Sequence, residues 1–251
     1  MKHEELVIKN WTESAPNYSN GILNELESFK RSAWEALIEE NADVSEKRCI
    51  LDVGTGPGFF AIIMALKGHY VTAVDCTQAM VEEAEANALA YHACIDFKVA
   101  DTQKLPFPDT QFDLIISRNV AWTIIDAEAA YREWMRVLKP GGRVLIFDAN
   151  WNRRLFNEEL RLAYEADLKE LAEKYPGFKR HDHSKDMESF RKTMPMCARI
   201  RPEWDLEALK RVGYENVDCV KDFQERIYTP EEQIMYRSTP MFLLKADKPL
   251  F

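Results

Sequence analysis

The stretch that decides the fold is "CILDVGTGPGFF", residues 49–60. A short apolar run ends near an acid, Asp52, and three glycines follow at every second position, Gly54, Gly56 and Gly58. The run is too short for a helix and is stopped by glycine, so it reads as a buried strand. Glycines in the turn after such a strand let the backbone come close to a ligand. In an open parallel sheet that turn floors the binding crevice, beyond the carboxyl ends of the strands. Two common nucleotide sites do not fit. A dinucleotide pattern G-x-G-x-x-G would put its third glycine where Phe59 stands, and no Gly-Lys-Ser/Thr follows as a P-loop requires.

The flanking sequence repeats the strand–helix alternation. Residues 58–68 read as a helix closed by Gly68, 70–75 as a second strand, and 77–92 as a helix with Thr77 as its cap. Residues 95–101, 112–119 and 142–150 read as the third, fourth and fifth strands, with a helix over 126–139. Alternation of this kind means crossover connections and a parallel sheet covered on both faces. Upstream, 20–41 places Ile22, Leu26, Phe29, Ala33 and Leu37 at helical steps, predicting one helix with one buried stripe. After Asn150 the rhythm changes: 151–200 has helical runs and no strand pattern, and reads as an insertion over the carboxyl ends of the strands. Residues 201–223 resume with a helix, a stop at Gly213 and a sixth strand. A helix then begins with Thr229 as cap, Pro230 at its first position and Glu232 placed for a capping box; 238–248 is the last strand. The expectation is an α/β, Rossmann-like, doubly wound, seven-stranded and mostly parallel sheet. It forms a single domain over 1–251, with an N-terminal helical lid (1–45) and a helical substrate-cap insertion after strand five (151–200).

Composition narrows the function classes. A chain of 251 residues, 46% hydrophobic and 30% charged, suits one soluble domain with a modest insertion. A formal net charge of −9 argues against a nucleic-acid partner; "WNRRLF" (151–156) and "ARIRP" (198–202) are the nearest basic stretches. The five cysteines are scattered, with no CxxC pair, which argues against a disulfide framework and for a reducing, cytoplasmic setting. "MKHEELVIKNW" has no long apolar run, so neither a signal peptide nor a membrane anchor is expected there.

Charge then bears on the ligand. Asp52, Asp75 and Asp101 stand at or near the ends of the first three strands, so three carboxylates are expected to face one crevice. A carboxylate beside a diphosphate costs on the order of 1 kcal/mol or more at an effective dielectric near 20. A phosphate-free, cationic nucleoside such as S-adenosylmethionine would be favoured instead.

At these residues the chain resembles the class I S-adenosylmethionine-dependent methyltransferases. "LDVGTGPG" resembles their glycine-rich first motif and "VDCTQAM" (74–80) their second. "ADTQKLPFPDTQFDLIISRN" (100–119) is similar to the third and fourth together, and "EWMRVLKPGGRVLIFD" (133–148) to the helix and strand that follow. The likeness spans roughly residues 10–150 and continues more weakly through 202–248. It implies methyl transfer from S-adenosylmethionine, with S-adenosylhomocysteine as product. By the same resemblance Gly54, Thr55 and Gly56 back the methionine part, and Asp52 reaches its ammonium. Asp75 accepts from the ribose diol, Cys76 and Met80 pack on the adenine, and Asp101, with Thr102, accepts from its amino group. The backbone around Ser117 and Arg118 closes over the sulfonium side. "WTESAPNYSNG" (11–21) resembles the family's lid segment, so Trp11 and Tyr18 are expected to cover the cofactor.

The acceptor side should come from residues after the fourth and fifth strands and from the insertion: Asn119, Trp122, Trp151, Tyr164 and Arg199, with Arg201 nearby. A base is needed only if the acceptor must lose a proton; His181, His183 and Asp148 are the candidates. "HDHSKDMESFRKTMPMC" (181–197) carries soft ligands, but its spacing matches no zinc pattern, so no metal is expected. A small-molecule acceptor fits the acidic composition and the insertion of roughly fifty residues. A methyltransferase acting on RNA or protein, and a non-catalytic cofactor-binding scaffold or sensor, are the competing readings.

Overall fold

The computed structural model of the protein describes residues 3–178 and 186–251. Two N-terminal helices, α1 (His3–Leu26) and α2 (Lys30–Asn41), lead into the alternating core. That core runs β1 (Cys49–Val53), α3 (Phe59–Leu66), β2 (Tyr70–Asp75), α4 (Gln78–Ala90), β3 (Ile95–Val99), β4 (Phe112–Arg118), α5 (Ala127–Val137) and β5 (Leu138–Ala149). Two further helices follow, α6 (Glu158–Lys174) and α7 (Asp186–Thr193). The chain closes with α8 (Glu203–Val212), β6 (Glu215–Val220), α9 (Gln224–Ile227), α10 (Pro230–Met235) and β7 (Met241–Asp247).

The seven strands form one sheet in the order β3-β2-β1-β4-β5-β7-β6. Pairings from β3 across to β5 are parallel, and β7 runs antiparallel between β5 and β6. This is the expected seven-stranded, mostly parallel, Rossmann-like sheet. The chain winds outward from β1 through β2 to β3, then returns to add β4 on the other side. Strand order therefore reverses between β1 and β4, which opens a crevice at their carboxyl ends.

Alternation along the strands feeds two cores. On one face Ile50, Leu114, Phe147 and Leu243 meet α2 and α3. Trp34 of α2 lies edge-on to Phe60 and Phe147, with ring centroids 5.4 and 5.2 Å away. On the other face Leu51, Val53, Ile115 and Ile146 meet α5 and α8 around Tyr131 and Trp134. The buried indole of Trp134 donates to the carbonyl of Thr102 at 3.0 Å, tying α5 to the loop after β3.

Local signals largely held. Thr77 accepts from the backbone of Met80, Gly213 ends α8 at φ 109°, and Thr229 and Glu232 form a reciprocal capping box. The single helix expected over 20–41 is instead broken at residues 27–29, and Phe29 is exposed rather than part of the stripe. Ser28 explains the break locally: its hydroxyl donates to the Glu25 carbonyl and accepts from the Lys30 amide, competing with the helical ladder. The turn lets Ile22 and Leu26 of α1 join the same core as Trp34, Leu37 and Ile38 of α2. Strand β3 stops at Val99, short of Asp101, and β5 starts at Leu138, earlier than the expected 142.

Candidate cofactor site

A cavity of about 350 Å³ opens at the switch point, within the usual range for small-ligand clefts. Its floor is the turn after β1. Gly54 sits at φ 67°, and a Cβ there would come within 2.3 Å of Val120, so only glycine lets the turn pass beneath the loop after β4. The amide of Thr55 donates to Val74 at 2.9 Å, holding the turn against β2.

Asp75 ends β2 and faces the cavity. Its Oδ2 accepts from the Gly56 amide at 3.0 Å, and its Oδ1 accepts from the amide and hydroxyl of Thr77 at 3.0 and 3.1 Å. Burial raises its pKa, and these donors oppose the shift. Each oxygen of a carboxylate can accept more than one bond, so Asp75 is a preset acceptor with capacity to spare. Cys76 and Met80 line the wall beside it. Burial, and then the charge of Asp75, push the Cys76 thiol up to about 12, so it stands there as a neutral, polarizable group. Asp101 and Thr102 line the next part of the wall; Asp101 is exposed and accepts from the amide of Gln103 at 2.8 Å.

Helix α1 forms the opposite wall with Trp11 and Tyr18, whose rings meet edge-on at 5.9 Å. Arg118 and Asn119 close the far end. Arg118 donates to Glu25 at 2.8 Å, and its guanidinium lies 4.5 Å from the Phe59 ring centroid. Burial disfavours its charge, but Glu25 outweighs that and raises its pKa. The cavity wall thus has no unpaired cation among the described residues. Asn119 adopts φ 63°, and its buried Oδ1 has no partner.

Several expected site residues lie elsewhere. Asp52 is not the third member of a rim. It is 2% exposed, and its Oδ2 accepts from the Thr55 hydroxyl at 2.7 Å and the Ala61 amide at 3.0 Å. With Thr55 it borders only a small recess behind the glycine turn. Ser117 is fully buried, its hydroxyl donating to Val53, because alternation along β4 turns it into the sheet. Asp148 is not poised as a base: it is fully buried and paired with Arg201 at 2.9 Å. Trp122 lies behind Trp11, ring centroids 6.1 Å apart, in a cluster with Phe190, Met194 and Cys197. Trp151 packs on Tyr236, Tyr164 on Arg154, and the exposed Arg199 stacks on Trp204. None of these four lines the cavity. His181 and His183 fall outside the described residues.

The sequence reading missed Glu4, Val7 and Ile8 of α1, which line the cavity, and Ile124 and Ile125 after β4. A signal existed: Val7, Trp11, Ala15, Tyr18 and Ile22 follow a helical period. Pro16 inside α1 obscures it, since proline usually ends a helix.

Burial pushes Asp52 up to about 6. Between its ordinary value near 3.8 and that value, the folded protein holds a proton that the unfolded chain releases. Stability is therefore lost as pH rises through this window. Asp52→Asn removes the ionisable group while keeping an acceptor for Ala61. Its melting temperature relative to the parent is expected to rise between pH 4 and pH 7, by an amount worth about 1–3 kcal/mol. Parallel melting curves across that range would show the carboxyl to be unshifted.

Comparison with known proteins agrees with this geometry. Residues 51–146 match the family described as "Methyltransferase domain". The chain is 36% identical over 107 residues to phosphoethanolamine N-methyltransferase 3 of Arabidopsis thaliana, covering 42% of this chain and 22% of that protein. It is 32% identical over 140 residues to the ubiquinone/menaquinone biosynthesis C-methyltransferase UbiE of Geotalea daltonii, covering 53% and 59%. The chain thus spans less than two thirds of the length of these relatives. Among solved structures, phosphoethanolamine N-methyltransferase 2 of Haemonchus contortus superposes with a TM-score of 0.58 at 18% identity, covering 85% of this chain and 52% of that one. Residues 51–146 thus match a methyltransferase domain, and that match, the relatives and the shared fold support a class I S-adenosylmethionine-dependent methyltransferase.

Proposed function

We propose that this chain binds S-adenosylmethionine in the cavity at the β1/β4 switch point and transfers its methyl group to a small-molecule acceptor. The observation that carries this reading is Asp75: a buried carboxylate at the end of β2, oriented by Gly56 and Thr77, facing a cavity without an unpaired cation among the described residues. That arrangement suits a ribose diol and disfavours a diphosphate.

The other residues divide the ligand among them. Cys76 and Met80 offer sulfur to an adenine face, and Asp101 with Thr102 offers acceptors to its amino group. Gly54 and Gly56 bring backbone close to the methionine part. The unpartnered Asn119 Oδ1 accepts from its ammonium, the task that the family resemblance implied for Asp52. Trp11 and Tyr18 exclude water from the reacting end. S-adenosylmethionine supplies a methyl group already activated by its sulfonium. The chain's own work is to align an acceptor lone pair in line with that bond. The relatives named for phosphoethanolamine and for quinone biosynthesis support a small acceptor.

Calorimetric titration should show binding of S-adenosylmethionine and none of NAD. Methyl-labelled cofactor incubated with protein and a metabolite extract should then yield a labelled small molecule. Label found only on protein or RNA would favour those acceptors, and cofactor binding without any transfer would favour a sensor. No binding of S-adenosylmethionine would remove the proposal.

A further inference from the structure

Among the described residues most arginines have a carboxylate partner, including Arg118, Arg161, Arg201 and Arg237. Arg153, Arg154, Arg191 and Arg199 have none there, and all four lie within residues 151–199. Two of them have satisfied alternatives. Arg199 is exposed and stacks on Trp204, and Arg153 donates to the Ala198 carbonyl at 2.9 Å. Arg191 differs. It is 5% exposed, and its Nε has no hydrogen-bond partner. The exposed Glu188 on the same helix attracts it but forms no ion pair with it, and a buried cation left without a bonded carboxylate is costly unless something outside the free protein compensates it.

Its surroundings fit an anion. Arg154 brings a second positive charge close enough to disfavour the first, after burial itself, and the Arg191 pKa is lowered as a result. Arg154 is spread over the Tyr164 ring at 4.3 Å and spends one donor on the Trp151 carbonyl. The Trp151 indole Nε1 is buried without a partner, a second unsatisfied donor in the same part of the fold. The region also adjoins the cofactor cavity. Phe190, next to Arg191, packs in one cluster with Trp122, and Trp11 of the cavity wall packs against that cluster.

We propose that Arg191 and Arg154, where α7 meets the segment 151–164, form a subsite for an anionic group of the methyl acceptor, a carboxylate or a phosphate. The word acceptor rests on the methyl-transfer reading; the anion site itself does not. Paired guanidinium donors suit either oxyanion.

Thermal-shift titration of the full chain with inorganic phosphate and, separately, with acetate, at matched ionic strength, tests it. At least one anion should stabilise the protein saturably, and which one does identifies the group. Arg191→Met should melt about 2–4 °C higher than the parent without anion, because a buried unpaired charge is gone. It should bind the anion at least about tenfold more weakly, as should Arg154→Met. Affinity for S-adenosylmethionine should be unchanged in both variants, since neither residue lines the cavity. Failure of the parent to bind either anion, or parent-like anion binding by Arg191→Met, overturns the subsite. A lower melting temperature for Arg191→Met together with parent-like anion binding by Arg154→Met also overturns it. If the parent binds the anion but not S-adenosylmethionine, the cofactor reading fails while the anion site stands.

Discussion

Asp75→Ala is expected to weaken S-adenosylmethionine binding by about 100- to 1000-fold. Two hydrogen bonds from a ribose diol to one carboxylate are charge-assisted, each contributing roughly 1.5–3 kcal/mol, and every 1.4 kcal/mol is about tenfold in affinity. The loss arises twice over. The acceptor itself disappears, and the Gly56 and Thr77 amides that it now orders are left to find water. Calorimetry reads the affinity, and a melting curve separates loss of binding from loss of fold. Asp75 ends an inner strand on a site that opens to solvent, so the melting temperature should move by only a few degrees. Unchanged affinity in a folded variant would take Asp75 out of the site.

The second large effect concerns a group that does not line the cavity. Arg201 is 2% exposed and lies between two fully buried carboxylates, donating from Nη1 to Asp148 at 2.9 Å and from Nε to Asp205 at 2.7 Å. Burial opposes its charge, but the two acids outweigh that and hold its pKa well above the ordinary value. Asp148 also accepts from the Trp122 amide, and Asp205 from the Tyr131 hydroxyl. The triad thus joins the end of β5, the loop after β4, α5 and the start of α8. Removing the cation from such a group leaves uncompensated buried charge, so Arg201→Met should cost about 3–5 kcal/mol.

The cost should depend on pH in a defined direction. Burial already raises the pKa of Asp148 against the pull of Arg201, so without that cation it would rise further above its unfolded value. The folded variant then binds more protons, and its stability falls as pH rises. Denaturant unfolding at pH 5 and pH 8 should show a smaller deficit at pH 5. An equal deficit at both would mean that the carboxylates find other partners.

How far the sequence reached can be judged at single positions. Thr77, Gly213, Thr229 and Glu232 performed as read, because caps and stops act through neighbours within four residues. Ser28 shows the limit of the same reasoning. Hydrophobic spacing continued through it, yet its hydroxyl bonded to the backbone and the helix turned. Pro16 erred the other way, hiding a helical face that lines the cavity.

The acids at the strand ends draw the line most clearly. Their positions at or near the ends of β1, β2 and β3 were legible from spacing, and Asp75 and Asp101 do border the cavity. Asp52 does not, although nothing in the one-dimensional pattern separates it from the other two. Its carboxylate is claimed by Thr55 and Ala61 across the tight glycine turn. Asp148 and Arg201, fifty-three positions apart, read as a candidate base and a residue near the acceptor side; only packing could reveal that they neutralise each other.

By itself, the order of residues determined the strand–helix alternation, the glycine turn and the kind of ligand such a turn admits, since these depend on local sterics and on period. Tertiary structure alone decided which polar side chains remain free to meet a ligand. That outcome depends on which donors and acceptors the fold brings within about 3 Å of one another, and sequence separation carries no record of it.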